Sequence, residues 1–361
     1  ATVKYNDVRL VGAPPSSIGK FGADTDNWVF PRHTGDFSLF RVYDDNGNAF
    51  TPAQHLKVNI APRTPGEFTM VFGYPGRTQE YLTAVQMDQL VNVENARRVE
   101  IRNVLLSIMD AEMRADAEVQ LKYASKYARI ANGWKKWIGQ IEGVQFSKGL
   151  DRKRKLEAEF TARIAADDAL WDTYSGLLNE IAVNTTQIAE GQSKRNEFIE
   201  TIYYGMEWFA LMSKLQRAKS DLDMNAAVVE FHQNYSRTVS EKTTAAMLSM
   251  ALETFPDLLG DMDEATFVST VHNEIDALVV LATKDEPLEL AVDAPTANNF
   301  STAAFQAFYA VSPDNELLQR ATQLSAQYMR ALMEVFPERN FYPDANSTLR
   351  VTYGKLEGVS P

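Results

Sequence analysis

Cysteine is absent from the 361 residues, which removes disulfides and cysteine-ligated metal and leaves the compartment open. Histidine is scarce: His33, His55, His232 and His272 show neither His-Glu-x-x-His nor close paired spacing, which argues against a zinc site, and no cofactor is called for. No run of about 18 apolar residues occurs, so no membrane-spanning helix is expected. Basic charge is not in excess either. A formal net charge of -12 argues against a nucleic-acid partner, whose phosphates demand a basic surface. The one basic run, Arg152-Lys153-Arg154-Lys155, lies inside a helical pattern and reads as a solvated face. Phosphate-cradling loops are missing as well, since Gly73-Tyr74-Pro75-Gly76 is a turn without Lys-Ser/Thr at the required spacing.

Proline is missing from a long internal stretch, and that absence divides the chain. Pro14, Pro15, Pro31, Pro52, Pro62, Pro65 and Pro75 fall early, and the next is Pro256. A stretch without proline permits helices, because proline removes a backbone donor and clashes inside one. From about Val85 to Met333 the apolar period is helical: Val99, Leu105, Leu106 and Met109 share a face, as do Ile199, Ile202, Tyr203, Met206 and Phe209. Seven to ten helices are expected there. Asp221 and Ser236 read as cap or turn residues, and Asp261-x-x-Glu264 as a capping box. Glu112 with Asp116, and Asp167 with Asp168, read as solvated helix faces rather than catalytic carboxylate pairs.

Residues 1 to about 83 read instead as strands and turns. Val8-Arg9-Leu10-Val11 and Phe37-Ser38-Leu39-Phe40-Arg41-Val42-Tyr43 alternate as strands do. Asp44-Asp45-Asn46-Gly47-Asn48 is a hairpin-type turn, and Phe68 to Gly73 a short buried strand. Past Pro337 and Pro343, Leu349-Arg350-Val351-Thr352-Tyr353 recovers strand alternation, so the helical block is an insertion between strands. The chain begins at Ala1 almost inside a strand and without a signal peptide, and it reads as a fragment.

The densest chemistry lies between the first two strands. Gly22 to Phe37 holds Asp24, Asp26 and Asp36 with Asn27, Trp28, Arg32 and His33, which must be a loop between paired strands. Asp36 re-enters the strand at a place expected to be partly desolvated, where a carboxylate needs a partner such as an imidazole N–H. From spacing alone Asp36 reads first as a carboxylate closing a turn, and Trp28 suits core packing equally well.

Ala13-Pro14-Pro15-Ser16-Ser17-Ile18-Gly19-Lys20-Phe21-Gly22, then Asp24-Thr25-Asp26-Asn27-Trp28 and Pro31-Arg32-His33-Thr34-Gly35-Asp36-Phe37, resemble the bacterial dipeptidyl-peptidase 7 and 11 family of serine peptidases. Gly73-Tyr74-Pro75-Gly76-Arg77-Thr78 and Arg350-Val351-Thr352-Tyr353-Gly354 extend the resemblance to both ends. Ala23 and Val29-Phe30 depart from the Gly and Met-Trp that the resemblance leads one to expect, which bears on loop geometry and pocket shape.

The resemblance implies an α+β, mainly α fold: a partial chymotrypsin-like β-barrel over 1–83, an α-helical cap over 84–345 and a returning strand over 346–361. It implies that Asp36 is the aspartate of a Ser-His-Asp triad, holding an imidazole in the tautomer that accepts the serine proton. It matches Asn27 and Trp28 to residues that bind the amino terminus of an oligopeptide. Tyr127 to Trp134 resembles a segment bearing a second amine-binding asparagine, which maps to Asn132; a mid-helix asparagine is otherwise a tolerated polar residue. Arg32 either braces the loop against Asp24 or Asp26 or touches substrate, and His33 reads as structural.

No histidine other than His33 precedes Asp36 and no Gly-x-Ser-Gly-like setting occurs, so base and nucleophile are missing and the fragment itself is expected to be inactive. A periplasmic or cell-surface parent, possibly a homodimer, is also implied. The competing expectation is a non-catalytic helical interaction module with a β appendage, in which Asp36 is a turn residue.

Overall fold

The structure is a computed structural model that describes residues 3–21, 28 and 30–359. The chain divides into two compact units, residues 1–80 with 342–361, and residues 81–341. These divisions lie a few residues before the 83 and 345 expected from the sequence.

In the first unit, β1 (Asp7–Gly12) pairs antiparallel with β2 (Leu39–Tyr43), placing Val8 opposite Val42 and Leu10 opposite Phe40, with an irregularity between Leu10 and Gly12. Their connection is therefore a loop between paired strands. Asp44 then reverses the chain: its Oδ1 accepts from the amides of Asn46 and Asn48, both at 2.9 Å, while Gly47 takes φ +78°.

A second ladder pairs β3 (Phe68–Gly73) with β4 (Arg350–Lys355), strands that precede and follow the helical stretch in sequence. Where the chain leaves and re-enters this unit, Asp344 Oδ1 accepts from Thr78 Oγ1 at 2.6 Å and from the Glu80 amide at 2.9 Å. The expectation of a buried β3 is corrected, because Phe68, Val71 and Phe72 are each about two-thirds exposed. Each ladder has only two strands, so among the described residues no second sheet covers these faces and each strand keeps an open edge.

The second unit is helical. α2 (Ala84–Asp88), preceded by the single turn α1 (Ser16–Gly19) of the first unit, runs through a π-helical segment, Gln89–Asn95, into α3 (Ala96–Ala115). There follow α4 (Ala117–Phe146), α5 (Gly149–Ile164), α6 (Asp168–Tyr174) and α7 (Leu177–Phe198), which continues as a π-helical segment, Ile199–Tyr203. The remainder comprises α8 (Glu207–Leu215), α9 (Asp221–Gln233), α10 (Arg237–Thr254), α11 (Glu264–Thr283), α12 (Leu290–Asp293), α13 (Pro295–Val311) and α14 (Asn315–Val335).

The unit holds more helices than the expected seven to ten because aspartates restart the helix where no proline marks a break. Asp116 caps α4 by accepting from the Glu118 amide at 2.7 Å, and Asp167 caps α6 through Ala169 at 3.0 Å. Both are caps rather than the solvated helix-face carboxylates expected from the sequence. The capping box lies at Thr83 and Gln86, while α11 is capped by Asp263, whose Oδ1 accepts from Thr266 at 3.0 Å, rather than by Asp261.

Two apolar cores hold the helices. The larger surrounds Trp208, Phe209, Phe198 and Phe300, and the smaller joins Phe160 and Ile164 to Tyr328 and Phe336. The single helix face expected for Ile199, Ile202, Tyr203, Met206 and Phe209 is corrected: the π-helical segment ends at Tyr203, Met206 is an extended N-cap and Phe209 belongs to α8, so Ile202, Met206 and Phe209 are buried from separate elements while Tyr203 is more than a third exposed.

Candidate functional site

The β1–β2 connection starts with Pro14 and Pro15. Pro15 is extended (φ −60°, ψ 153°) and launches the single turn α1, whose last residues include Ile18 and Gly19. The chain then returns so that the Gly35 amide donates to the Ile18 carbonyl at 3.1 Å. Thr34 and Gly35 are half-buried by this contact, and Asp36 follows immediately.

Asp36 itself is exposed, as are Arg32 and His33. The expectation of a partly desolvated carboxylate is thus corrected: β2 belongs to an open two-stranded pair that leaves the start of the strand in solvent. Trp28 sits on the same connection with its side chain about half exposed and its backbone at φ +60°, a left-handed conformation that an aromatic residue rarely adopts. Asn27, Asp24 and Asp26 lie outside the described residues, so the bracing of Arg32 by either aspartate does too.

Asn132 stands on α4 in the helical unit with its side chain on an exposed face. The turn that carries it rests on a buried charge pair. Arg102 of α3 donates from Nε to Glu200 Oε2 at 2.6 Å and from Nη2 to Glu200 Oε1 at 3.1 Å, and both side chains are less than a tenth exposed. Its third nitrogen, Nη1, donates to the Ile130 carbonyl at 2.7 Å. The guanidinium lies 4.3 Å over the Trp137 ring, and a Cβ at Gly133 would run into Nη1. Beside it, Trp134 Nε1 donates to Asn103 Oδ1 at 2.6 Å. Sequence reasoning missed Arg102 and Glu200. The one local signal was Gly133, a glycine in a helix interior that marks close approach of another group.

Arg98 adds a second cation against Trp137, at 5.2 Å, and donates to Asn196 Oδ1 at 2.6 Å. Burial holds the Arg98 pKa below its ordinary value, and burial pushes up that of its partner Glu94. A groove of about 650 Å³ opens along the α4 turns just before Asn132, lined by Lys126, Arg129, Tyr203, Tyr204, Glu207 and Phe231 among others. Glu207 accepts from Lys126 Nζ at 2.5 Å and from the buried Tyr123 hydroxyl, whose pKa burial and the Glu207 charge raise. Among the described residues no group of three or more His, Asp or Glu is arranged to hold a metal, and no helix is long and apolar enough to cross a membrane.

A family of peptidases accounts for both the loop and the insertion. The chain matches Peptidase S46 over residues 1–361 and belongs to that family. It is 35% identical over 402 residues to an Asp/Glu-specific dipeptidyl-peptidase of Flavobacterium psychrophilum, covering 100% of this chain and 55% of the relative. Against dipeptidyl-peptidase 7 of Porphyromonas endodontalis the identity is 31%, with 99% and 48% covered. The crystal structure of Porphyromonas endodontalis DPP11 in complex with the dipeptide Arg-Glu superposes with a TM-score of 0.79 at 26% identity, over 99% of this chain and 56% of that one. The chain therefore spans about half the length of the relatives it matches. The expected family and the mainly helical fold are borne out.

Proposed function

We propose that this chain is the part of a serine dipeptidyl aminopeptidase that carries the triad aspartate and the substrate-holding helical cap. The observation that carries this reading is the end-to-end match to a peptidase family whose similar members are dipeptidyl-peptidases, one of them solved with a dipeptide.

In this reading Asp36 holds an imidazole from elsewhere in the parent in the tautomer that takes the serine proton, and it stabilises the imidazolium formed during acyl transfer. Its exposure within these 361 residues fits a carboxylate whose partner is supplied from outside them. Asn27 and Asn132 accept from the substrate ammonium, and Trp28 supplies an aromatic face beside it. Arg32 braces the loop. Anchoring the amine at a fixed distance from the nucleophile admits two residues before the scissile bond, so the cap acts as a ruler.

The open ladders β1–β2 and β3–β4 await the remaining strands of a barrel. The parent acts on oligopeptides in the periplasm or at the cell surface, as a homodimer. The test is to give full-length protein the same oligopeptide with a free and with an acetylated amino terminus. Dipeptides should leave only the free form, and equal release from both would overturn the reading.

A further inference from the structure

We infer that Arg102 is a positioning residue that fixes Asn132 for substrate binding. This rests on the reading of Asn132 as an acceptor for the substrate ammonium. Arg102 touches the α4 backbone on both sides of that residue: Nη1 holds the Ile130 carbonyl two positions before it and fills the space left by Gly133 one position after it. The ring of Trp137, a further turn along, covers the guanidinium face. Asn103, next in sequence to Arg102, holds Trp134. Two successive residues of α3 therefore set the height and rotation of the α4 turn that presents Asn132.

The grip needs the guanidinium shape. Its fork spends Nε and Nη2 on Glu200 and still has Nη1 for the Ile130 carbonyl, whereas a lysine offers a point charge that cannot make both contacts in one plane. Glu200 also neutralises the cation, so no uncompensated positive charge lies beneath a site meant for an ammonium. Glu200 belongs to the π-helical segment Ile199–Tyr203 and is itself buried, which ties the place of Asn132 to that turn.

The experiment is steady-state dipeptide release by the full-length protein with a free-amine peptide, comparing Asn132→Ala, Arg102→Lys, Gly133→Ala and each of the latter two combined with Asn132→Ala. Gly133→Ala pushes the guanidinium aside without removing it and raises local helix propensity, so it probes position in a protein that keeps its fold. Arg102→Lys and Gly133→Ala should each raise KM about tenfold, the scale of a hydrogen bond to a charged group, with kcat less affected. Combined with Asn132→Ala they should add nothing further, because the group they position is gone. Effects that multiply in the combined variants, or an unchanged KM in Gly133→Ala, would overturn the positioning role alone. An unchanged KM in Asn132→Ala would sink the amine-binding reading and this inference with it.

Discussion

Gly35 and Ile18 hold the two ends of the β1–β2 connection together. The Gly35 amide donates to the Ile18 carbonyl at 3.1 Å, and a Cβ on Gly35 would stand 3.0 Å from Ile18 Cγ2. A branched side chain at position 35 must push the two apart and move Asp36 with it. Gly35→Val in the full-length protein should lower kcat by up to about 100-fold, the scale of a misplacement near 1 Å. Adding Ile18→Ala should restore much of the rate by freeing the space. Assays of single and double variants check this, and a Gly35→Val enzyme with normal kcat would show that the contact does not place Asp36.

Asp36 carries the heavier prediction. If Asp36 is the triad aspartate proposed above, replacing it with asparagine keeps the size but presents the triad imidazole with the wrong hydrogen-bonding partner. Turnover by full-length Asp36→Asn should fall about 10⁴-fold, by analogy with the serine-protease triad. Near-normal turnover would remove Asp36 from the triad. The 361-residue chain assayed alone should release no dipeptide, and measurable release by the pure chain would mean that its own residues supply base and nucleophile.

The parts of this arrangement that were legible in the sequence are those with a local period. Alternation at Leu39 to Tyr43 and at Arg350 to Tyr353 marked strands, and the proline gap marked the helical insertion that lies between β3 and β4 in sequence. Three features had no such signal. The exposure of Phe68, Val71 and Phe72 depends on which strands cover them, and a six-residue apolar run is written the same way in either case. The extra helices start at Asp116 and Asp167, which looked like solvated faces because a cap and a surface carboxylate have the same identity. Arg102 and Glu200 are 98 residues apart, and only folding makes them partners.

That buried pair sets a stability prediction. Glu200→Gln keeps the volume and removes the charge, leaving the Arg102 cation uncompensated among Trp137, Tyr204 and backbone. Breaking a buried pair from one side costs about 3–5 kcal/mol. Urea unfolding of the 361-residue chain should register a loss of that order for Glu200→Gln. The exposed pair Lys214–Glu230, by contrast, should show a far smaller loss when Glu230 becomes Gln, because solvent screens both charges. Equal losses at the two sites would refute the assignment of Glu200 as a buried partner.

His272 makes the helical unit sensitive to acid. Its ring is fully buried, with Nδ1 2.7 Å from the Val268 carbonyl and Nε2 3.0 Å from Ser240 Oγ, so Nδ1 donates and Nε2 accepts from the hydroxyl. Burial lowers its pKa from the ordinary 6.5; the Val268 carbonyl, Glu241 and Asp276 pull it upward, and Arg237 adds to the lowering. In the unfolded chain the same ring titrates near 6.5, so below that pH the unfolded state binds a proton that the folded state does not. Stability contributed by the neutral ring is complete above pH 6.5 and declines as the pH falls toward the lower folded-state value. Chemical denaturation of the chain should therefore show a midpoint that drops as the pH falls below about 6.5, and His272→Gln, uncharged throughout, should flatten that slope while lowering the midpoint at neutral pH. An identical slope in the variant would assign the acid sensitivity to other groups.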